Sequence, residues 1–204
     1  MGGCGGRLNG HERDRMDSDL TRQNNLAVDE ETLQTWESGF IVPKRIVVET
    51  VFGCNASCPM CLIDHPTDRP KKVMPMVRFE ALVTALQPYA DKIEKFDLFG
   101  LGDPMLDKHL AKRIAMLKSR GFKGIAISTN ADLFDAKWRK KVFEAGVDTI
   151  LISIDGTTKE VHEAARPGTV FERVVSNSHL RAGGVHESPM ESGGHWHVAL
   201  PSPG

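Results

Sequence analysis

Three cysteines fall within the eight residues "CNASCPMC", as Cys54, Cys58 and Cys61. Their spacing, C-x3-C-x2-C, gathers three thiolates on one short loop. Four thiolates would close a structural zinc site or complete a standard iron–sulfur cluster. Three can hold three irons of a [4Fe–4S] cubane and leave the fourth iron open to an outside ligand. An open coordination position suits a reactive centre; a structural metal needs none. His65 offers a different completion, C-x3-C-x2-C-x3-H, which is a closed Cys3His zinc site. The remaining cysteine, Cys4, stands alone near the N-terminus. No charged segment followed by an apolar run marks an export signal. Clustered thiols in such a chain point to a reducing, cytoplasmic setting and a metal or redox role rather than a disulfide framework.

A loop of this kind needs a scaffold, and the flanking sequence supplies one. "RIVVETVF", ending at Gly53, reads as a buried strand leading into the cysteines. "VRFEALVTALQPYADKI" has helical spacing through Phe79, Leu82, Val83 and Leu86. "KFDLFGLG" is a second strand. Asp103-Pro104 then predicts a helix start, with Leu106, Leu110, Ile114 and Leu117 as its apolar stripe and Gly121 as its end. "KGIAIST" is a third strand, followed by a helix from about Asp135 to Gly146 that buries Trp138 and Val142. "DTILISI" is a fourth. Thr157 with Glu160, and Thr169 with Glu172, have the form of capping boxes for later helices. His109 and His162 read as helix-surface residues. Strand starts near residues 96, 124 and 149 recur at βα spacing, and continuous apolar strands such as "TILISI" predict burial on both faces. The fold class is therefore α/β, a parallel sheet with covering helices, over residues 41–180. Residues 1–40 read as a flexible leader with a short helix near "DEETLQTW". Residues 181–204, rich in Gly, Ser, Pro and His, read as a disordered tail in which His186, His195 and His197 are solvated.

Parallel βα folds place ligands at the carboxyl ends of their strands. Here those ends carry the cysteine loop, then Gly100-Leu101-Gly102-Asp103-Pro104, then Ser128-Thr129-Asn130, then Ser153-Ile154-Asp155-Gly156. Four such ends on one rim would ring a single site.

With these motifs in order, residues 43–178 resemble the radical S-adenosylmethionine (radical SAM) superfamily. The branch resembled includes molybdenum-cofactor and peptide-modifying (SPASM-type) enzymes. The resemblance implies that Cys54, Cys58 and Cys61 are cluster ligands. It implies that Gly100, Gly102, Asp103 and Pro104 form the segment holding the methionyl amino group. Ser128, Asn130, Ser153 and Asp155 lie where that family contacts S-adenosylmethionine (SAM), and Met60 takes the place of an aromatic residue near the adenine. "HEAARPGTVFERVV" is similar to the segment that follows the fourth strand there. The implied cofactors are a [4Fe–4S] cluster and SAM. The implied reaction is reductive cleavage of SAM to a 5′-deoxyadenosyl radical that abstracts hydrogen from an unknown substrate, with a ferredoxin- or flavodoxin-type protein as electron donor. The chain departs from the pattern at Leu101, where the family has glycine, and at Asp103, where it has glutamate. About four of the usual six βα units are present, which makes a partial barrel, and the cysteine-rich C-terminal extension of the peptide-modifying branch is absent. A truncated or inactive core, or one completed by a partner chain, is the alternative beside the Cys3His zinc module.

The bulk composition agrees with a soluble domain and excludes two classes. A formal net charge of −1 over 204 residues does not suggest a nucleic-acid binder. No apolar run reaches the roughly 18 residues of a membrane span. The short charge runs Lys71-Lys72 and Arg139-Lys140-Lys141 read as solvated surface.

Overall fold

The computed structural model describes residues 41–64, 70–178, 186–191 and 195–199, and in it the β-rich run before the cysteines is two strands, not one. Strand β1 (Arg45–Val47) pairs in parallel with β4 (Lys95–Asp97) at the edge of the main sheet. Val47 is 56% exposed there, because an edge strand is covered incompletely. Beyond Val48, whose N–H still reaches the Asp97 carbonyl at 2.8 Å, the chain leaves the sheet. Strand β2 (Val51–Phe52) is buried and pairs antiparallel with β3 (Lys72–Val73). The reason is hydrogen bonding. The main sheet offers residues 51 and 52 no partner, and the β3 segment on the far side of the cysteine loop does. This small ribbon grips both ends of the loop.

The remainder is a βα repeat. Helix α1 (Met76–Leu86) leads to β4. Helix α2 (Leu110–Ser119) leads to β5 (Ile125–Thr129), and α3 (Ala136–Glu144) to β6 (Thr149–Ser153). Helices α4 (Lys159–Ala165) and α5 (Phe171–Ser178) follow. Strands β1, β4, β5 and β6 are mutually parallel. Their apolar side chains meet one face of each helix: Phe79 and Val83 from α1, Leu110, Ile114 and Leu117 from α2, Val142 from α3. Each such side chain contributes about 1.5–3 kcal/mol by leaving water. Phe96 and Phe122 meet edge to face at 5.3 Å. Period-two alternation turns Ile125 and Ile127 one way and Ser128 the other, toward the site.

Several boundaries differ from expectation. Asp103-Pro104 opens a single 3-10 turn (Pro104–Leu106), and α2 begins only at Leu110, so Leu106 is exposed outside the stripe. The delay has a cause. Asp107 starts a second cap, accepting from His109 N and from Arg113 Nε in a fully buried pair. Asp135 caps α3 through Trp138 N, and Trp138 is half-buried. Thr158, one residue beyond the expected Thr157, caps α4 through Val161 N. Thr169 bonds to the Arg166 carbonyl and sits against His162.

Residues 181–204 are not wholly irregular. Strand β8 (His195–Ala199) pairs antiparallel with β6, and β7 (His186–Glu191) pairs antiparallel with β8. Backbone groups on the outer side of β6 would otherwise lack partners. Pro189 falls on β7, an edge strand that tolerates a missing N–H, and the register shifts between Ser188 and Glu191. The sheet is therefore mixed, with three parallel strand pairings and two antiparallel among the described residues. The proposed leader, with its short helix, lies outside the described residues, as do Cys4 and His65. Among the described residues no helix is long and apolar enough to cross a membrane.

Candidate functional site

The carboxyl ends of the strands open on one cavity of about 420 Å³. It brings together Cys54, Cys58, Cys61, Met60, Gly100, Gly102, Asp103, Ser128, Asn130 and Ser153 from four separate chain segments. Pro104 and Asp155 do not line it. Pro104 is buried behind the wall as the first residue of the 3-10 turn, and Asp155 reaches the cavity only through the side chain it pairs with, Arg166.

The cysteine loop, residues 53–61, is held at several points. Cys54 Sγ lies 3.4 Å from the N–H of Ala56 and 3.6 Å from Asn130 Nδ2. Asn130 Nδ2 also donates to Asn55 Oδ1 at 2.9 Å, and Asn55 Nδ2 donates to Asp132 at 3.2 Å. A turn closes between Cys61 N and the Cys58 carbonyl. Ser57 N donates to the carbonyl of Pro167 at 2.8 Å, and Gly168, at φ +95°, lies so near that a Cβ there would come within 2.7 Å of the Asn55 carbonyl. The loop is thus clasped by the segment after α4. That segment is itself fixed where Asp132 accepts from Val170 N and from Arg173.

Burial pushes the Cys54 thiol above its ordinary value, and Asp103 and Cys58 nearby add to this. Burial raises Cys58 as well, while the Arg166 cation pulls the other way. Both thiols hold their protons more tightly than a free cysteine. A cation in the cavity would have to displace them.

Asp103 lines the cavity and also ties neighbouring strand ends together. Its carboxylate is buried and engaged by protein donors: Met105 N at 2.9 Å, Asn130 N at 2.9 Å, and the Thr129 hydroxyl at 2.9 and 3.1 Å. Its own N–H donates to the Gly53 carbonyl at 2.9 Å. It brackets the ends of β4 and β5 to the start of the cysteine loop. Burial raises its pKa, and those hydrogen bonds act against the rise. Gly102 passes so close to β2 that a Cβ would sit 2.2 Å from the Val51 carbonyl, so only glycine fits. Beside it, Glu49 accepts from Leu101 N at 2.8 Å. Met60 and Leu101 line the cavity yet stay 62% and 42% exposed, giving the mouth an apolar edge.

Sequence reasoning missed Arg166. Its guanidinium lines the cavity 4.0 Å from Cys58 Sγ and is ion-paired with Asp155. The signal available was Arg-Pro-Gly directly after a helical segment: a cation, a helix stop and a glycine in succession. His162, expected on the helix surface, is fully buried, with Nδ1 facing Asp155 N and Nε2 facing Thr169. Helix α4 has seven residues, too few for an apolar stripe to declare its inner face.

The AdoMet-dependent heme synthase of Oleidesulfovibrio alaskensis is 27% identical over 154 residues, covering 74% of this chain and 39% of that protein. A probable GTP 3′,8-cyclase of Methanococcus maripaludis is 26% identical over 121 residues, covering 59% of this chain and 39% of that one. The chain therefore spans about two fifths of the length of these relatives. Among solved structures, Streptococcus suis SuiB bound to S-adenosylmethionine superposes with a TM-score of 0.57 at 17% identity, over 82% of this chain and 41% of SuiB, a likeness of fold. The family model described as "Radical SAM superfamily" matches residues 48–187, more than half of the sequence and all of the cavity, and the chain belongs to that superfamily.

Proposed function

We propose that Cys54, Cys58 and Cys61 hold a [4Fe–4S] cluster and that the cavity binds SAM at the cluster's open iron, making the chain the core of a radical SAM enzyme. The observation that carries this reading is the donor set. Three thiols, with no fourth among the described residues, stand on one cavity at the strand ends. Sulfur donors suit iron–sulfur clusters. Among the described residues no three His, Cys, Asp or Glu side chains converge on one ion. The Cys3His zinc alternative depends on His65, outside the described residues.

Held by Cys54, Cys58 and Cys61, a cluster would supply the one-electron reduction that cleaves SAM and so begins hydrogen abstraction from a substrate. The chain's own residues bind, orient and exclude water. Arg166 presents a cation to the carboxylate of SAM, the best-placed anion partner in the wall. Ser128 and Ser153 add hydroxyls. Asp103 keeps the two strand ends in register, and Asn130 orients Cys54. Met60 and Leu101 offer an apolar face to the adenine. Leu98, Ile127 and Ile152, all fully buried, seal the scaffold behind the site. The name of one relative, an AdoMet-dependent heme synthase, agrees with SAM chemistry, and that of the other, a probable GTP 3′,8-cyclase, names a different substrate, so no substrate is assigned. A ferredoxin- or flavodoxin-type donor would supply the electron.

The test is anaerobic reconstitution with iron and sulfide, followed by assay of iron, sulfide and zinc per chain. The Cys54, Cys58, Cys61→Ala triple variant is the control. About four irons and four sulfides, absent from the variant, are expected, with 5′-deoxyadenosine released on reduction in the presence of SAM. Zinc without sulfide would overturn the proposal.

A further inference from the structure

His162 touches neither the cavity nor a cysteine, yet its ring joins the two residues of the Arg166–Asp155 pair. A buried imidazole must account for both nitrogens. Nδ1 lies 3.4 Å from the backbone N–H of Asp155. A backbone N–H only donates, so Nδ1 is the bare acceptor. In a neutral ring the proton then sits on Nε2, which faces Thr169 Oγ1 at 3.2 Å. That hydroxyl accepts from Nε2 and gives its own proton to the Arg166 carbonyl at 2.8 Å. Every link has one direction, running from Asp155 N–H through His162 and Thr169 to Arg166. Arg166 N also donates to the His162 carbonyl at 2.8 Å, and Phe171 packs on the ring at 5.5 Å. The charged groups around the ring are Arg166, Asp155, Glu163 and Asp132. Burial, aided by Arg166, holds its pKa below the ordinary histidine value, which keeps the ring neutral.

We infer that His162, as the Nε2–H tautomer, is a positioning residue that fixes both ends of the Arg166–Asp155 pair and so sets where the guanidinium stands beside Cys58. The inference rests on the reading of the cavity as the SAM site. A merely structural histidine would affect melting and leave ligand affinity alone. A positioning residue changes affinity in protein that is folded and fully loaded with iron.

Two measurements decide it. The first is long-range 15N NMR of the cofactor-free protein. An Nε2–H tautomer for His162 is expected, and an Nδ1–H tautomer would overturn the relay whatever the cavity binds. The second is the SAM dissociation constant of cluster-loaded wild type and of His162→Leu, Thr169→Val and Thr169→Ser variants, each at matched iron content. His162→Leu should weaken SAM by about tenfold and Thr169→Val by about threefold, since each deletes a link of a buried network. Thr169→Ser, which keeps the hydroxyl, should restore wild-type binding. Thr169→Val is nearly isosteric and carries the test if His162→Leu does not fold. Unchanged affinity in loaded Thr169→Val would overturn the positioning role. Wild type that loads its cluster but binds no SAM would overturn the cofactor reading and the affinity argument together, while the tautomer result would still decide the relay.

Discussion

Two arginine–aspartate pairs serve opposite ends. Arg113 and Asp107 are 0% exposed, bonded at 2.7 Å between α2 and the turn before it. Arg113 also donates to the Met74 carbonyl and stacks on Phe79 at 4.9 Å. It knits three segments together and does not line the cavity. Arg166 and Asp155 are 17% and 23% exposed, and their guanidinium borders the cavity. The same chemistry is sealed in one place and left with a face to the cavity in the other. Sealing makes a pair structural, because either partner alone would be a buried uncompensated charge. An open face leaves the cation available to an incoming anion, and the protein must then hold it by other means. His162 and Thr169 are those means.

The comparison can be broken at either pair. The largest effect is expected from Arg113→Ala, which strands Asp107 and should cost about 3–5 kcal/mol in chemical denaturation. Loss of SAM affinity in its folded, loaded fraction would contradict the division of labour. Arg166→Gln should act in the reverse way. The melting temperature should move little, while the SAM dissociation constant rises by about tenfold or more, the scale of a lost charge-assisted contact. Arg166→Lys keeps the charge but loses the fork, so a smaller rise of about threefold is expected, and titration calorimetry can rank the two variants. The smallest effect is a pH slope. The pKa of His162 is lowered in the folded state, so the unfolded chain binds the extra proton first. Its contribution to stability is present at neutral pH and is lost as pH falls below the unfolded histidine value of about 6.5. Denaturation midpoints from pH 7.5 to 5 should show this slope in wild type and a shallower one in His162→Asn.

The cysteine spacing, the βα rhythm from β4 to β6 and the polar strand ends were readable because each is local. They depend on periodicity and on residues adjacent in sequence. What escaped depends on distant partners. The split of β1 from β2 follows from pairing with Lys72 and Val73, beyond the cysteine loop. The approach of Arg166 to Cys58 joins positions 108 residues apart. Burial of His162 is set by α5 folding over a short helix. Strand β8 forms against an edge of β6 that no local composition announces.

The clasp of Pro167 and Gly168 on the cysteine loop also imposes an order in time. During synthesis the three thiols, at residues 54–61, leave the ribosome before the backbone that clasps their loop. The backbone that holds Ser57 and abuts Asn55 arrives more than a hundred residues later. A nascent chain halted before residue 166 would present the cysteine loop without its contacts to Pro167 and Gly168. The support that Ser57 takes from Pro167 cannot form until α4 has been made, so full bracing of the cysteine loop waits for the chain beyond that helix.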